Sequence, residues 1–391
     1  MKSPPTRWPR RIPAALARPT LSACCAALLS LGGCGGGAEE AASTAAPQGY
    51  ASRCLLPPGA SNALLLPAPT GEHCIGKAEF RLLDAARAEA YTAEQSDRRE
   101  LNVQVWYPTA ATAGGTRADY LEPAIAPLVK AQLSIPPTAA DVLTNAKPGT
   151  PLQPGSVYPV LIFSPGYGMV VEAYSTLLED LASHGIVVVA IDHPYISGVT
   201  STASGQLVQA LAGPAATQQL PAFLDGAVAT LVADQRYVLD WLQGTHTGLL
   251  AGHLDLARIG LLGHSIGGAA AVQTARSDAR AKAGLDIDGT VYGGTAGSWQ
   301  KPLMFLLASN HVADPSIDTV LRLATGPTRS ATVQDAGHLD FSDLKWLLNF
   351  YAPGLSPSAL AAEGLGSIEA SKALQATRQE SLSFFQQFVG P

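Results

Sequence analysis

The strongest pattern in this chain is a series of short, solidly apolar runs: YPVLIFS (158–164), GIVVVAI (185–191), ARIGLLG (257–263), AGLDID (283–288), PLMFLL (302–307) and SATVQ (330–334). A strand covered on one face alternates apolar and polar residues. One covered on both faces does not, so these runs predict buried parallel strands. Helical spacing of apolar residues marks 171–184, 227–243, 266–277, 340–351 and 367–389. Strand, helix, strand with short connections predicts a doubly wound, mostly parallel α/β sheet with helices on both faces. ELNVQVWYP (100–108) alternates and ends at proline, which predicts an early antiparallel strand. Two stretches break the pattern. Residues 109–157, rich in Ala, Thr, Pro and Gly, read as a long irregular insertion, and 194–226 as a hairpin or partial lid near the site.

The N-terminus has a different character. Residues 1–20 carry Lys2, Arg7, Arg10, Arg11 and Arg18 and no acid, and a short apolar segment follows over 19–33. That is the layout of a secretory signal, and the apolar run is too short for an ordinary spanning helix. It ends in Leu31-Gly32-Gly33-Cys34, which looks like a bacterial lipoprotein signal with lipid placed on Cys34. The alternative is ordinary cleavage near Ala38 and a free secreted protein. The expected division is therefore a signal over 1–33, a flexible tether over 34–50 and one catalytic domain over 51–391. The protein is then an exported lipoprotein of the cell envelope, held to a membrane through Cys34.

Loss of residues 1–33 lowers Lys+Arg from 25 to 20 against 31 Asp+Glu, so the formal charge moves from −6 to −11. That balance argues against nucleic acid as a partner. Cys24 and Cys25 leave with the signal and Cys34 takes the lipid. Cys54 and Cys74 remain, and in an exported protein they are expected to form a disulfide. No metal-ligand spacing, phosphate loop or paired CxxC occurs, so neither a metal nor a cofactor is expected. A monomer is the default.

The candidate chemistry sits in LLGHSIGG (261–268). In a chain this rich in glycine, G-x-S-x-G arises by chance roughly 0.2–0.3 times. Context changes its weight. Ser265 follows the run ARIGLLG and opens the helical pattern IGGAAAVQTA, which is the strand–turn–helix setting of a nucleophile elbow. A serine nucleophile needs a base, and the base an orienting acid, in the order Ser, Asp/Glu, His. Two histidines follow Ser265. His338 lies in a loop past the last apolar run and is favoured; His311 reads as a satisfied surface histidine. For the acid, Asp288 at the end of GLDID leads by position and Asp314 is the alternative. Asp286 reads as a buried structural carboxylate, and Asp335 and Asp340 as loop or capping residues.

Together these residues resemble the platelet-activating-factor acetylhydrolase family of α/β-hydrolases. The resemblance runs from VWYP (105–108) to the C-terminus through PVLIFSPGYG (159–168), LASHGIVVVAIDHPY (181–195), DQRYVLDWL (234–242), GHSIGG (263–268), GLDIDGT (284–290) and GHLDFSD (337–343). It implies the α/β-hydrolase fold and Asp288 as the acid. It also implies an oxyanion hole made by the backbone N–H groups of Tyr167 and Ile266. Asp192-His193 is then a landmark that supports a loop. Pro165 departs from the histidine common at that position, and SPGY is similar to bacterial cutinase-like polyesterases. Those carry their acid later, near 309–312, where this chain has none before Asp314.

The sequence is thus read as a serine hydrolase of short-acyl or phospholipid-type esters. Polyesterase or lipase activity on the same residues is the alternative, and a non-catalytic surface lipoprotein the distant one. Tyr167, Trp299 and residues 194–226 are candidate acyl-pocket walls.

Overall fold

The computed structural model describes Cys54 and residues 63–110, 115–214, 216–244 and 248–390. The signal, the tether and the lipidation position Cys34 lie outside the described residues. So does the 111–114 part of the insertion.

In chain order the strands are β1 (Leu64–Leu65), β2 (Cys74–Ala88), β3 (Arg98–Thr109), β4 (Val142–Leu143), β5 (Lys147–Pro148), β6 (Tyr158–Ser164), β7 (Val187–Asp192), β8 (Val199–Ser201), β9 (Leu207–Gln209), β10 (Leu254–His264), β11 (Ala281–Ile287), β12 (Leu303–Ala308) and β13 (Thr328–Val333). The helices are α1 (Ala126–Gln132), α2 (Ser175–Ser183), α3 (Leu220–Gly244), α4 (Ile266–Ser277), α5 (Pro315–Leu323), α6 (Leu344–Tyr351), α7 (Pro357–Ala362) and α8 (Ala370–Phe388).

Nine strands form the main sheet in the order β13-β12-β11-β10-β6-β7-β3-β2-β5. The six apolar runs form its contiguous parallel block, and β3 pairs antiparallel with both β7 and β2. The last run differs from its reading as a strand buried on both faces: β13 is the sheet edge, and its positions alternate between exposed and half-buried up to Val333. Order reverses between β10 and β6, the switch point at which open α/β sheets build their sites.

Alternate side chains of each strand go to opposite layers. Leu161 and Phe163 of β6 pack with Leu177, Leu181, Phe384 and Phe385 under α2 and α8. Val160 and Ile162 pack with Val238, Leu239, Ala271 and Ala275 under α3 and α4. Full burial of each such side chain contributes roughly 1.5–3 kcal/mol, which explains why β6 is apolar throughout until it ends at Ser164.

Two further parts differ from the reading above. β2, fifteen residues long, was not marked by any apolar run. Its outer half alternates buried and exposed positions and carries Lys, Glu, Arg and Asp, as an outlying antiparallel strand permits. The 109–157 stretch is also less irregular than expected, for it holds α1, β4 and β5. The 194–226 stretch contains the β8–β9 hairpin and the start of α3. Cys54 and Cys74 are joined, with sulfurs 2.07 Å apart, at the start of β2.

Candidate active site

Between β10 and α4 the chain turns within one residue, and that residue is Ser265. Its φ of 56° and ψ of −123° lie where side chains are rarely tolerated. Two backbone bonds hold it there: Ser265 N–H donates to Ile287 O at 2.8 Å, and Ala269 N–H donates to Ser265 O at 3.1 Å. The flanking glycines make the turn possible. A Cβ on Gly267 would stand 2.1 Å from Ser164 O, and one on Gly263 would stand 2.3 Å from the Gly267 carbonyl carbon.

Asp288 follows β11, also at positive φ (53°). Its Oδ2 accepts from His338 Nδ1 at 2.6 Å, and its Oδ1 accepts from Ala308 N–H at 2.7 Å. Burial alone would push this carboxyl up. The His338 and Ala308 hydrogen bonds and the neighbouring imidazoles outweigh it and hold the pKa at about 2. An ionised Asp288 can only accept, so His338 carries its proton on Nδ1 and presents Nε2 as a base. The His338 side chain is 42% exposed, while that of Asp288 is 3% exposed. Among the described residues neither Ser265 Oγ nor His338 Nε2 has a hydrogen-bond partner. Asp340 shapes the histidine loop, its Oδ2 accepting from the amides of Gly337 (2.7 Å) and Gly366 (2.6 Å).

The other sequence candidates lie elsewhere. Asp314 caps α5, accepting from Ser316 N–H at 2.8 Å. Asp286 is buried, accepts from Gly289 N–H at 2.9 Å, and burial pushes its carboxyl well above the usual range. His311 needs correction. It is no ordinary surface histidine, because its Nδ1 reaches Asp288 Oδ1 at 2.9 Å, so two imidazoles share one carboxylate. Trp299 is buried beneath Arg276, 4.7 Å from its ring, and packs among Val272, Phe305 and Ile317. Tyr167 is half-buried in the cluster with Ile266 and touches the 194–226 stretch twice. Its hydroxyl donates to Leu211 O at 2.5 Å, and its ring lies 5.6 Å from that of Phe223.

The amides on either side of Tyr167 are committed. Gly168 N–H donates to Ile196 O at 2.9 Å, and Gly166 N–H donates to Tyr174 Oη at 3.3 Å. The Tyr167 amide has no acceptor among the described residues. Ile266 N–H, in the first turn of α4, has no helical acceptor by position. Ile266 adjoins Ser265, and a Cβ on Gly166 would stand 3.4 Å from Ser265 Cβ, so both donors lie on segments beside the serine, as an oxyanion requires.

His264, the residue before the serine, went unremarked in the sequence. It is fully buried, and burial, then the neighbouring His338, pushes its pKa down to about 3, so the ring is neutral. Its Nε2 lies 2.8 Å from His338 O, and a carbonyl only accepts, so Nε2 holds the proton. Nδ1 then accepts from Tyr174 Oη–H at 2.8 Å. The result is a one-directional chain from Gly166 N–H through Tyr174 and His264 to the backbone of His338. The His264 and His338 rings also pack at 4.5 Å. Its signal was the motif itself, which places the residue before the nucleophile beneath the site.

A second Ser–His–Asp set lies beneath the first. His193 Nδ1 donates to Asp234 Oδ2 at 2.8 Å, and its Nε2 accepts from Ser164 Oγ at 3.0 Å. Burial opposes the Asp234 charge, but Arg99 outweighs it, giving two hydrogen bonds at 3.1 and 2.7 Å and holding the carboxyl far below its usual range. All three side chains are buried.

The family model described as platelet-activating factor acetylhydrolase, isoform II, matches residues 59–220 and 233–390. The chain belongs to that family. A probable 1-alkyl-2-acetylglycerophosphocholine esterase of Arthroderma benhamiae is 30% identical over 152 residues, 38% of this chain and 36% of that protein. The platelet-activating factor acetylhydrolase of Cavia porcellus is 25% identical over 280 residues, 64% of this chain and 62% of that protein. The matches therefore span less than two thirds of these two relatives' length. Among solved structures, a ferulic acid esterase from Streptomyces cinnamoneus superposes with a TM-score of 0.71 at 29% identity, covering 84% of this chain and 93% of its own. These likenesses identify the doubly wound sheet as an α/β-hydrolase fold.

Proposed function

We propose that this acetylhydrolase-family chain is a serine carboxylic-ester hydrolase acting through an acyl-enzyme. The observation that carries the reading is the 2.6 Å bond from His338 to Asp288 beside a serine held at φ 56°. In this mechanism Ser265 Oγ attacks the ester carbonyl and His338 Nε2 takes its proton. His338 then returns the proton to the leaving alcohol and activates water to release the acyl group. Asp288 stays ionised throughout and stabilises the imidazolium. The amides of Tyr167 and Ile266 receive the oxyanion, each such donor contributing about 3–4 kcal/mol to the transition state.

The substrate class is a short-acyl or phospholipid-type ester, supported by the acetyl esters in the relatives' names. The Leu31–Cys34 box supports lipid anchoring at Cys34 and a place in the cell envelope. The test is fluorophosphonate labelling of the mature protein, with a panel of acetyl, longer acyl and feruloyl esters. Labelling of wild type that vanishes in Ser265→Ala, with acetyl esters turned over fastest, is the expected result. A folded wild type that neither labels nor hydrolyses any ester would refute the reading.

A further inference from the structure

A cavity of about 390 Å³ lies between the 109–157 insertion and the body of the protein. Val129 and Leu133 of the α1 region form one wall, Met169 and Val170 another, and Leu344 and Leu347 of α6 a third. The second wall, which also takes in Gly168, begins one residue after Tyr167, and the third begins six residues after His338. The cavity therefore touches both segments that frame Ser265 while being lined by neither Ser265 nor His338.

Its polarity is one-sided. Arg117, Asp119, Lys130, Gln132 and Asp141 all come from the insertion, and Lys130 is joined to Asp141 at 3.0 Å. On the catalytic side, Gly168, Met169, Val170, Ala173, Leu344 and Leu347 bring no polar side chain apart from Tyr351 beyond them. The walls are also braced. Asp343 N–H donates to Ala173 O at 2.7 Å, and Tyr120 Oη–H donates to Asp343 Oδ2 at 3.3 Å. Hydrogen bonds thus tie insertion, oxyanion segment and histidine loop together around the space.

We propose that this cavity binds a single unbranched hydrocarbon chain, with its polar end toward the charged rim of the insertion. Size and lining fit a small-molecule site with few polar groups. A peptide or nucleotide would leave its own donors and acceptors unpaired against the inner wall, at a cost an alkyl chain does not incur. The chain belongs either to the ester being cleaved or to a separate lipid. Only the first source rests on the ester-hydrolase reading.

The binding test uses Ser265→Ala protein, which needs no turnover. A dansyl-labelled undecanoic acid is displaced by straight-chain fatty acids of about six to fourteen carbons, and affinity rises about three- to fourfold per methylene until the cavity is full. Ala126→Trp, at a half-buried position on the cavity wall, fills the space and weakens binding at least tenfold; Val129→Trp does the same from deeper in the wall. Absence of displacement, absence of a length dependence, or unchanged binding in a folded Ala126→Trp protein would overturn the proposal. With Ser265 restored, Ala126→Trp lowers kcat/KM for long-chain esters and spares acetyl esters when the chain is the substrate's. It spares both when the chain belongs to a separate lipid. If no ester is cleaved but the length series holds, the hydrocarbon site stands and the hydrolase reading alone fails.

Discussion

Two Ser–His–Asp sets share this molecule, and their surroundings differ. Ser265, His338 and Asp288 meet at the carboxyl edge of the sheet; Ser164, His193 and Asp234 meet beneath it, within the core. In both, the acid fixes the histidine proton on Nδ1 and leaves Nε2 as acceptor. The difference lies in what surrounds the serine. Ser164 ends a regular strand, donates to His193, and accepts a hydrogen bond from Gln235 Nε2 at 2.9 Å. Ser164 is fully buried. Ser265 sits on a strained turn between two free amides, and its base is 42% exposed. Residue types and hydrogen-bond order are therefore insufficient for catalysis. Access, backbone strain and oxyanion donors separate a nucleophile from a structural brace.

The widest separation between the sets comes from the serines. Ser265→Ala should lower kcat by about 10⁴- to 10⁶-fold and abolish fluorophosphonate labelling. Ser164→Ala should still label and lose about 1–2 kcal/mol of stability, read by denaturant unfolding. Next come the acids. Asp288→Asn should cost about 10⁴-fold in kcat, whereas Asp314→Ala should keep kcat and lose only a helix cap, about 1 kcal/mol. Asp234→Asn should act the opposite way, leaving buried Arg99 with Glu89 as its one remaining carboxylate partner and costing about 3 kcal/mol in unfolding free energy.

A smaller effect tests the link between the oxyanion segment and the base. Tyr174→Phe removes the acceptor of Gly166 and the donor to His264. It should lower kcat about tenfold while leaving KM for a short ester nearly unchanged, as expected when only the transition state is affected.

The smallest effect is a pH dependence of stability at Asp343. Burial raises its carboxyl from 3.8 to about 7, so the folded protein holds this proton more tightly than the unfolded chain does. Its stabilising contribution is full below about pH 4 and is lost as pH rises through 7. Asp343→Asn should therefore gain on wild type as pH rises from 5 to 8.5, read as a Tm difference that widens with pH.

The parallel strands and the elbow were legible in the sequence because each is local: a run buried on both faces, and a small-residue turn between strand and helix. Chain order pointed to His338. Position alone left Asp288 and Asp314 open, since both follow strands; what separates them is a hydrogen bond spanning fifty residues. β2 escaped because half of its length is solvent-facing and charged. Tyr174, His193 and His311 act across 20 to 90 residues of sequence, so no local spacing revealed their partners. Cys54 and Cys74 were paired by elimination, and that pairing is the one present.

The turn at Ser265 has a consequence for how such a chain can change over time. A non-glycine residue held at φ 56° and ψ −123° costs on the order of 1–3 kcal/mol, stored continuously whether or not substrate is present. Glycine at position 265 would release that strain and end the chemistry in one substitution. Stability and activity are thus opposed at a single residue, and a population of variants screened for robustness alone would drift toward an inert scaffold of the same shape.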